Sequence, residues 1–314
     1  MATVNSVLGP IHTKDLGFTL MHEHILVGFA GVYRDYPELL GDDPLGRAVG
    51  KLKQAKEGGV DTVVDATTID LGRDINFIAE ASRRSGVNII AVSGWWMEIP
   101  RFFQAASVGQ LTEVFVREIE VGISGTDIKA GVLKSASDYG GVTPQTETIL
   151  RAVGRAHLKT GVPIMLHSYS PGQVGWQQLD ILRQEGVDPK RVKLDHSNDT
   201  TDLEYLVQLL EQGCYLGLDR YPGRTVSSRA RTNTMKALID AGYADRLCPS
   251  HDSSAIPFLG PDWRKAEEER RQYNPHGFLY IKNAVFNQLR EMGVSEEIID
   301  GLCVNGPRNF FEGV

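Results

Sequence analysis

Short apolar runs rich in β-branched residues recur along the chain at Phe18–Met21, Thr62–Asp65, Asn88–Ser93, Lys129–Lys134, Pro163–His167, Val192–His196, Tyr215–Asp219 and Leu247–Ser250. Between them the apolar positions change to helical spacing, as in Ile149–Thr160 and Leu203–Gln212. Several of these stretches end in glycine, at Glu57-Gly58-Gly59, Thr160-Gly161, Glu185-Gly186 and Gln212-Gly213, the residue that takes the left-handed backbone closing a helix. Strands that are apolar on both faces and alternate with helices belong to a parallel sheet. Eight such units fit a closed (β/α)8 TIM barrel better than an open doubly wound sheet, and neither GxGxxG nor GxxxxGK[ST] occurs. In a barrel, chemistry collects at the C-terminal edge of the strands, so the polar residues ending these runs are the candidates.

No linker, low-complexity run or short repeat breaks the 314 residues, and one barrel domain over 1–314 is expected. The balance of 33 Lys+Arg against 40 Asp+Glu, net charge −7, has no basic block, which argues against nucleic acid or an anionic membrane surface as partner and for a small-molecule substrate. Cys214, Cys248 and Cys303 are odd in number and far apart, so neither a disulfide framework nor a cysteine zinc site is indicated. The N-terminus lacks the charged start and apolar core of a signal peptide, and no run of 18 apolar residues occurs; a cytoplasmic location is expected.

The first run leads into Met21-His22-Glu23-His24, where the strand period of two puts both imidazoles on one face. Alone, an HxH is as compatible with structural histidines as with a metal site. The fifth run ends in Leu166-His167-Ser168, the sixth in Asp195-His196-Ser197 and the eighth in Ser250-His251-Asp252, so the candidates gather at one mouth. From Lys134 to His167 is 33 residues and from His167 to His196 is 29, one βα unit each. Gly131-Val132-Leu133-Lys134 ends the fourth run in a lysine. An isolated lysine there reads as an ion-pair partner or a snorkelling surface cation. Desolvated beside cations, its amine loses its proton more readily and can take up CO₂ as a carbamate, an anionic oxygen ligand able to bridge two metals.

His22-x-His24, Gly131-Val132-Leu133-Lys134, His167, His196, His251-Asp252 and Asn305-Gly306-Pro307 together resemble the phosphotriesterase family of the amidohydrolase superfamily, over essentially the whole chain. That family includes phosphotriesterase-like lactonases and organophosphate triesterases. The resemblance implies a binuclear centre of two divalent ions, zinc foremost, with cobalt, iron or manganese as alternatives. It implies that His22, His24 and Asp252 bind the buried ion and His167 and His196 the exposed one, bridged by carbamylated Lys134 and a hydroxide that attacks the substrate. Asp252 would also accept the proton, His251 would support without ligating, and a homodimer is the expected assembly.

Asp219-Arg220-Tyr221 and a short loop after it resemble the lactonase branch, with Arg220 lining the pocket. In Ser93-Gly94-Trp95-Trp96-Met97, Trp96 stands where lactonases carry a tyrosine, and resembles instead the apolar leaving-group wall of the triesterases. The long segment Ser253–Tyr280 contains Ile256, Phe258 and Trp263, expected to cover the substrate, followed by the charged run Arg264–Arg271, expected to face solvent. The expectation is a hydrolase of lactones, such as acyl-homoserine lactones, or related esters, with side activity on organophosphate triesters. The alternatives are a dedicated aryldialkylphosphatase and, outside the class, a barrel that binds ligands without catalysis.

Overall fold

The computed structural model describes residues 2–257 and 262–313, apart from the side chain of Trp263. Eight strands, β1 (Thr19–Val27), β2 (Thr62–Asp65), β3 (Asn88–Gly94), β4 (Val132–Ser137), β5 (Ile164–Ser168), β6 (Val192–Asp195), β7 (Tyr215–Leu218) and β8 (Leu247–Pro249), pair in parallel in chain order. A ninth, β9 (Ser254–Pro257), pairs in parallel with β1, placing Ser254 opposite His24 and Ile256 opposite Leu26. Residues 247–257 therefore pair with β7 at one end and β1 at the other, which closes the (β/α)8 barrel around Asp252.

Each strand is followed by a helix: α1 (Pro44–Glu57), α2 (Ile75–Ser85), α3 (Val108–Glu120), α4 (Pro144–Thr160), α5 (Gly175–Gln184), α6 (Leu203–Glu211), α7 (Ser228–Asp240) and α8 (Trp263–Tyr273). Seven of these eight starts are set by side chains that accept first-turn N–H groups, Asp43, Asp74, Ser107, Thr143, Asp202, Ser227 and Asp262; α5 alone lacks such a cap. Gly161 takes φ +71° and returns its N–H to His157 O, ending α4.

Alternation along the strands separates two apolar layers. Outward residues such as Leu20, Val63, Ile89, Leu133, Ile164 and Leu166 pack under the helices. Inward ones, Met21, Val64, Ile90, Val132, Met165, Tyr215 and Cys248, fill the barrel, plugged below by Val4, Leu16 and Phe310. β6 departs from this rule: it turns the fully buried Lys193 inward between Met165 and Tyr215, and the fully buried Asp195 inward beside His167. Among the described residues no helix is long and apolar enough to cross a membrane.

Candidate functional site

The polar residues of the barrel lie above the inward apolar layer, at the C-terminal ends of the strands. His22 and His24 come from β1, Lys134 from β4 and His167 from β5, while His196 directly follows β6 and Asp252 is the third residue after β8. His196 and Asp252 hold left-handed backbone, φ +61° and +50°, the kind of strained conformation that clusters at functional sites. Gly94 has φ +115°, and a Cβ there would lie 2.0 Å from Lys134 O, so only glycine lets β3 pass the lysine.

Each imidazole turns one nitrogen toward a common centre and the other toward a protein oxygen, although His22 Nδ1 is close to its carboxylates without a hydrogen bond to either. His22 Nδ1 stands 3.1 Å from both Asp195 Oδ2 and Asp219 Oδ2. His24 Nδ1 is 2.7 Å from Thr67 Oγ1, and His196 Nδ1 is 2.8 Å from Asp219 Oδ1. His167 Nε2 is 3.3 Å from Asp138 Oδ2. The remaining nitrogens converge: His22 Nε2 and His24 Nε2 lie 3.4 and 3.2 Å from Asp252 Oδ1, and His167 Nδ1 lies 2.8 Å from His196 Nε2. Lys134 Nζ sits between, 3.5 Å from His22 Nε2 and 2.9 Å from Asp195 Oδ2. Ligand atoms of His22, His196 and Asp252 fall within 4.8 Å of one another. Free nitrogens whose opposite ring atoms are fixed by carboxylates or a hydroxyl are what imidazole metal ligands require, so the donor set fits divalent ions.

The electrostatics point the same way. Burial, with His196 beside it, pushes His167 down to about 3, and burial lowers His196 too, so both rings are neutral and able to ligate. For His22, burial and the Lys134 ammonium oppose charging, yet Asp195, Asp219 and Asp252 outweigh them and raise it to about 9. Asp252 is held well below the usual carboxylate range, its burial outweighed by His22, His24, His196 and Arg220. A metal that takes His22 Nε2 must displace a proton, so metal uptake at pH 7 should release protons, and apparent affinity should rise with pH to about 9. In the metal-free protein the raised His22 contributes stability that is complete below about 6.5 and lost as pH rises through about 9. Calorimetric metal titration across this range checks the first statement; an affinity independent of pH would overturn it.

Three residues that the sequence reading did not assign organise this centre. Lys193 Nζ contacts Asp195 Oδ1 and lies 3.8 Å from Asp219 Oδ2, so one buried cation partly balances two carboxylates beneath His22. The i, i+2 spacing of Lys193 and Asp195 in a buried strand was the available signal. His251 ligates nothing in this arrangement: its Nδ1 is 2.6 Å from Glu23 Oε1 and its Nε2 accepts the Ile281 N–H.

The centre opens into a cleft of about 1060 Å³ whose walls include Trp96, Arg220, Tyr221, Arg224, Arg270 and Tyr273. Arg220 donates to Asp199 Oδ2 at 2.6 Å and to Asp252 Oδ2 at 3.2 Å, so it reaches the carboxylate at the centre. The loop carrying it is short, since α7 begins at Ser228. The two tryptophans part company. Trp95 is buried against Phe103 and Phe115, whereas Trp96 is half-buried at the mouth, its Nε1 3.4 Å from His167 Nδ1 and its backbone N–H bound to Asp70. Trp96→Ala should therefore stay within about ±0.5 kcal/mol of wild-type stability and alter substrate preference, while Trp95→Ala should cost about 3–5 kcal/mol. Thermal melts with relative rates on small and bulky substrates test this; the reverse order of stability losses would place Trp96 in the core.

The expected apolar cover needs correction. Ile256, assigned above to the substrate pocket, is 1% exposed and packs in the strand–helix core, because β9 is a barrel-closing strand and not a loop. Phe258 lies outside the described residues, as does the side chain of Trp263, whose backbone opens α8. The charged run Arg264–Arg271 is also only partly a solvent face, since Lys265, Glu269 and Arg270 line the cleft.

A (β/α)8 barrel whose strand ends gather four histidines, a lysine and an aspartate defines a metal-dependent hydrolase. A sequence profile of the phosphotriesterase family matches residues 2–311, and the chain belongs to that family. It is 37% identical to a phosphotriesterase homology protein of Mycobacterium tuberculosis, over 99% of this chain and 98% of that protein. It is 35% identical to an aryldialkylphosphatase of Saccharolobus solfataricus, over 96% of each. The solved structure of the phosphotriesterase from Mycobacterium tuberculosis superposes with a TM-score of 0.92 at 37% identity, covering 99% of this chain and 98% of that one. More distant relatives include an N-acetyltaurine hydrolase of Mus musculus, 26% identical over 98% of this chain and 97% of that protein.

Proposed function

We propose that this hydrolase opens lactones or related esters and has side activity on organophosphate triesters. The observation that carries the reading is the set of free nitrogens of His22, His24, His167 and His196 facing Asp252 and Lys134 at the floor of a cleft whose wall presents Arg220. His22, His24 and Asp252 would hold one divalent ion, zinc or a similar metal, and His167 and His196 a second, with Lys134 as carbamate between them. Such ions would supply Lewis acidity and make an attacking water more acidic. Asp252, ionised at neutral pH, would accept that water's proton as the carbonyl carbon is attacked and deliver it to the departing alkoxide as the ring C–O bond breaks. Arg220, braced by Asp199, would orient the ester from the rim. Lys193 would keep Asp195 and Asp219 charge-balanced, so that they fix the His22 ring.

Trp96 favours a second reading, a dedicated triesterase: an indole offers only an N–H donor and an apolar face, which suit an aryl leaving group. Metal-quantified protein assayed on acyl-homoserine lactones, alkyl lactones and paraoxon separates these. Lactones faster than paraoxon support the first reading, the reverse order supports the second, and metal-loaded protein inert on all three would overturn both.

A further inference from the structure

The cleft wall formed by α8 is charged where an apolar cover was expected. Lys265, Glu269, Arg270 and Tyr273 recur at helical spacing on its cleft-facing side. Most charges at this rim are answered. Arg220 and Arg231 pair with Asp199, Lys265 stands 3.9 Å from Glu269, and Asp262 accepts the Lys265 N–H that opens the helix. Glu267 is taken by Arg47 and Lys51.

Two cations are not answered. Arg270 Nη1 donates to Ser253 Oγ at 3.3 Å and Ser254 O at 3.0 Å, both neutral, and its Nε is buried with no hydrogen-bond partner. Arg224, on the loop after β7, lies 5.1 Å over the ring of Tyr273, which is one turn beyond Arg270 on α8. Among the described residues neither arginine has a carboxylate within ion-pair distance. Burial lowers the Arg270 guanidinium's pKa and outweighs the pull of Asp252, Glu23 and Glu267, none of which pairs with it directly. An unanswered, partly desolvated guanidinium beside the residue that follows Asp252 is a site completed by something that binds.

We propose that Arg224 and Arg270 form a subsite for an oxyanion substituent on the substrate, a carboxylate, sulfonate or phosphate carried by the molecule whose ester bond is cut. The inference rests on the hydrolase reading above and adds the substrate's charge. Tyr273 ties the two arginines into one wall, and the subsite holds the charged end while the ester lies over the His22–Asp252 floor.

The test uses ring analogues with no ester bond to cut, so binding is read without turnover. On metal-quantified holoenzyme, tetrahydrofurfuryl alcohol is compared by ligand-observed NMR with tetrahydrofuran-2-carboxylate, tetrahydrofuran-2-ylmethanesulfonate and tetrahydrofuran-2-ylmethylphosphonate, whose C–P bond stands in for the phosphate ester. At least one anion should bind about tenfold or more tighter than the alcohol, and the arm with the largest advantage identifies the group. Arg270→Ala and Arg224→Ala should each remove most of that advantage without changing affinity for the alcohol, whereas Arg229→Ala, an exposed arginine on α7 outside the cleft, should not. Melting temperatures accompany each variant, and exposed Arg224 keeps the test decisive if Arg270→Ala loosens α8. No advantage for any anion would overturn the subsite, as would an advantage that survives both substitutions because the anion sits on the metals. Turnover on the neutral lactone panel with no anion preference would sink this inference and leave the hydrolase reading standing. Arginine-dependent anion binding without turnover on any ester would overturn the hydrolase reading and, with it, the assignment of the anion to an ester substrate.

Discussion

Lys134→Ala is expected to lose at least ~100-fold in kcat/KM at ambient bicarbonate, beyond the roughly 10–100-fold that removing a partner of a metal ligand costs. The Lys134 side chain is 2% exposed, and its Nζ lies 3.5 Å from His22 Nε2, inside the ring of imidazole nitrogens. If it acts as a carbamate, the truncated side chain leaves a gap that a small carboxylate can enter, and acetate or propionate should restore part of the rate. The loss should not be one of folding alone. Removing a partner from a buried ion pair costs about 3–5 kcal/mol when the other charge is stranded, yet here Asp195 keeps Lys193. Melting temperature and metal content, measured beside the rate, separate these effects. Full activity in Lys134→Ala would refute the bridging role. Lost activity with two metals retained and no response to carboxylic acids would assign the lysine a different part.

Much of this centre could be read from the chain because the barrel's rules are local. A strand period of two, a helix after every strand and chemistry at strand ends placed His22, His24, Lys134, His167, His196 and Asp252 on neighbouring strand ends before any coordinates. What escaped depends on distant partners. β1 was expected to end with His22-Glu23-His24 but runs on to Val27, because the strand Ser254–Pro257 pairs beside it from His24 to Val27. β9 is only four residues, and nothing in Ser254-Ala255-Ile256-Pro257 marks it as a strand until β1 stands beside it; Ile256 was assigned to the pocket for that reason. α4 begins at Pro144 and not near Ile149, and here the signal was present: Thr143 caps the helix and Pro144 fills its first position. Lys193 was overlooked because a charge in a barrel interior is tolerable only beside its counter-ions, and those come from β6 and the end of β7 together.

Asp252→Asn should reduce kcat by about 10²–10⁴-fold and leave KM within a few-fold, since a group that accepts the proton acts mainly in the transition state. The position suits an unusually clean substitution. Its φ of +50° is one that asparagine tolerates as readily as aspartate, so the backbone after β8 need not move. Arg220 would lose its 3.2 Å contact with the carboxylate but keep Asp199 at 2.6 Å. His22 would lose one of the three carboxylates that raise it to about 9, and should deprotonate at lower pH in the metal-free variant. That change favours metal uptake at neutral pH, while replacing a charged ligand by a neutral amide opposes it. The metal content of the variant must therefore be measured and restored to two before rates are compared. Loss of kcat at full metal occupancy supports proton acceptance. A variant holding two metals with near-normal kcat would show that another base serves, and the nearby Asp138, whose carboxylate faces His167 at 3.3 Å, would be the next residue to replace.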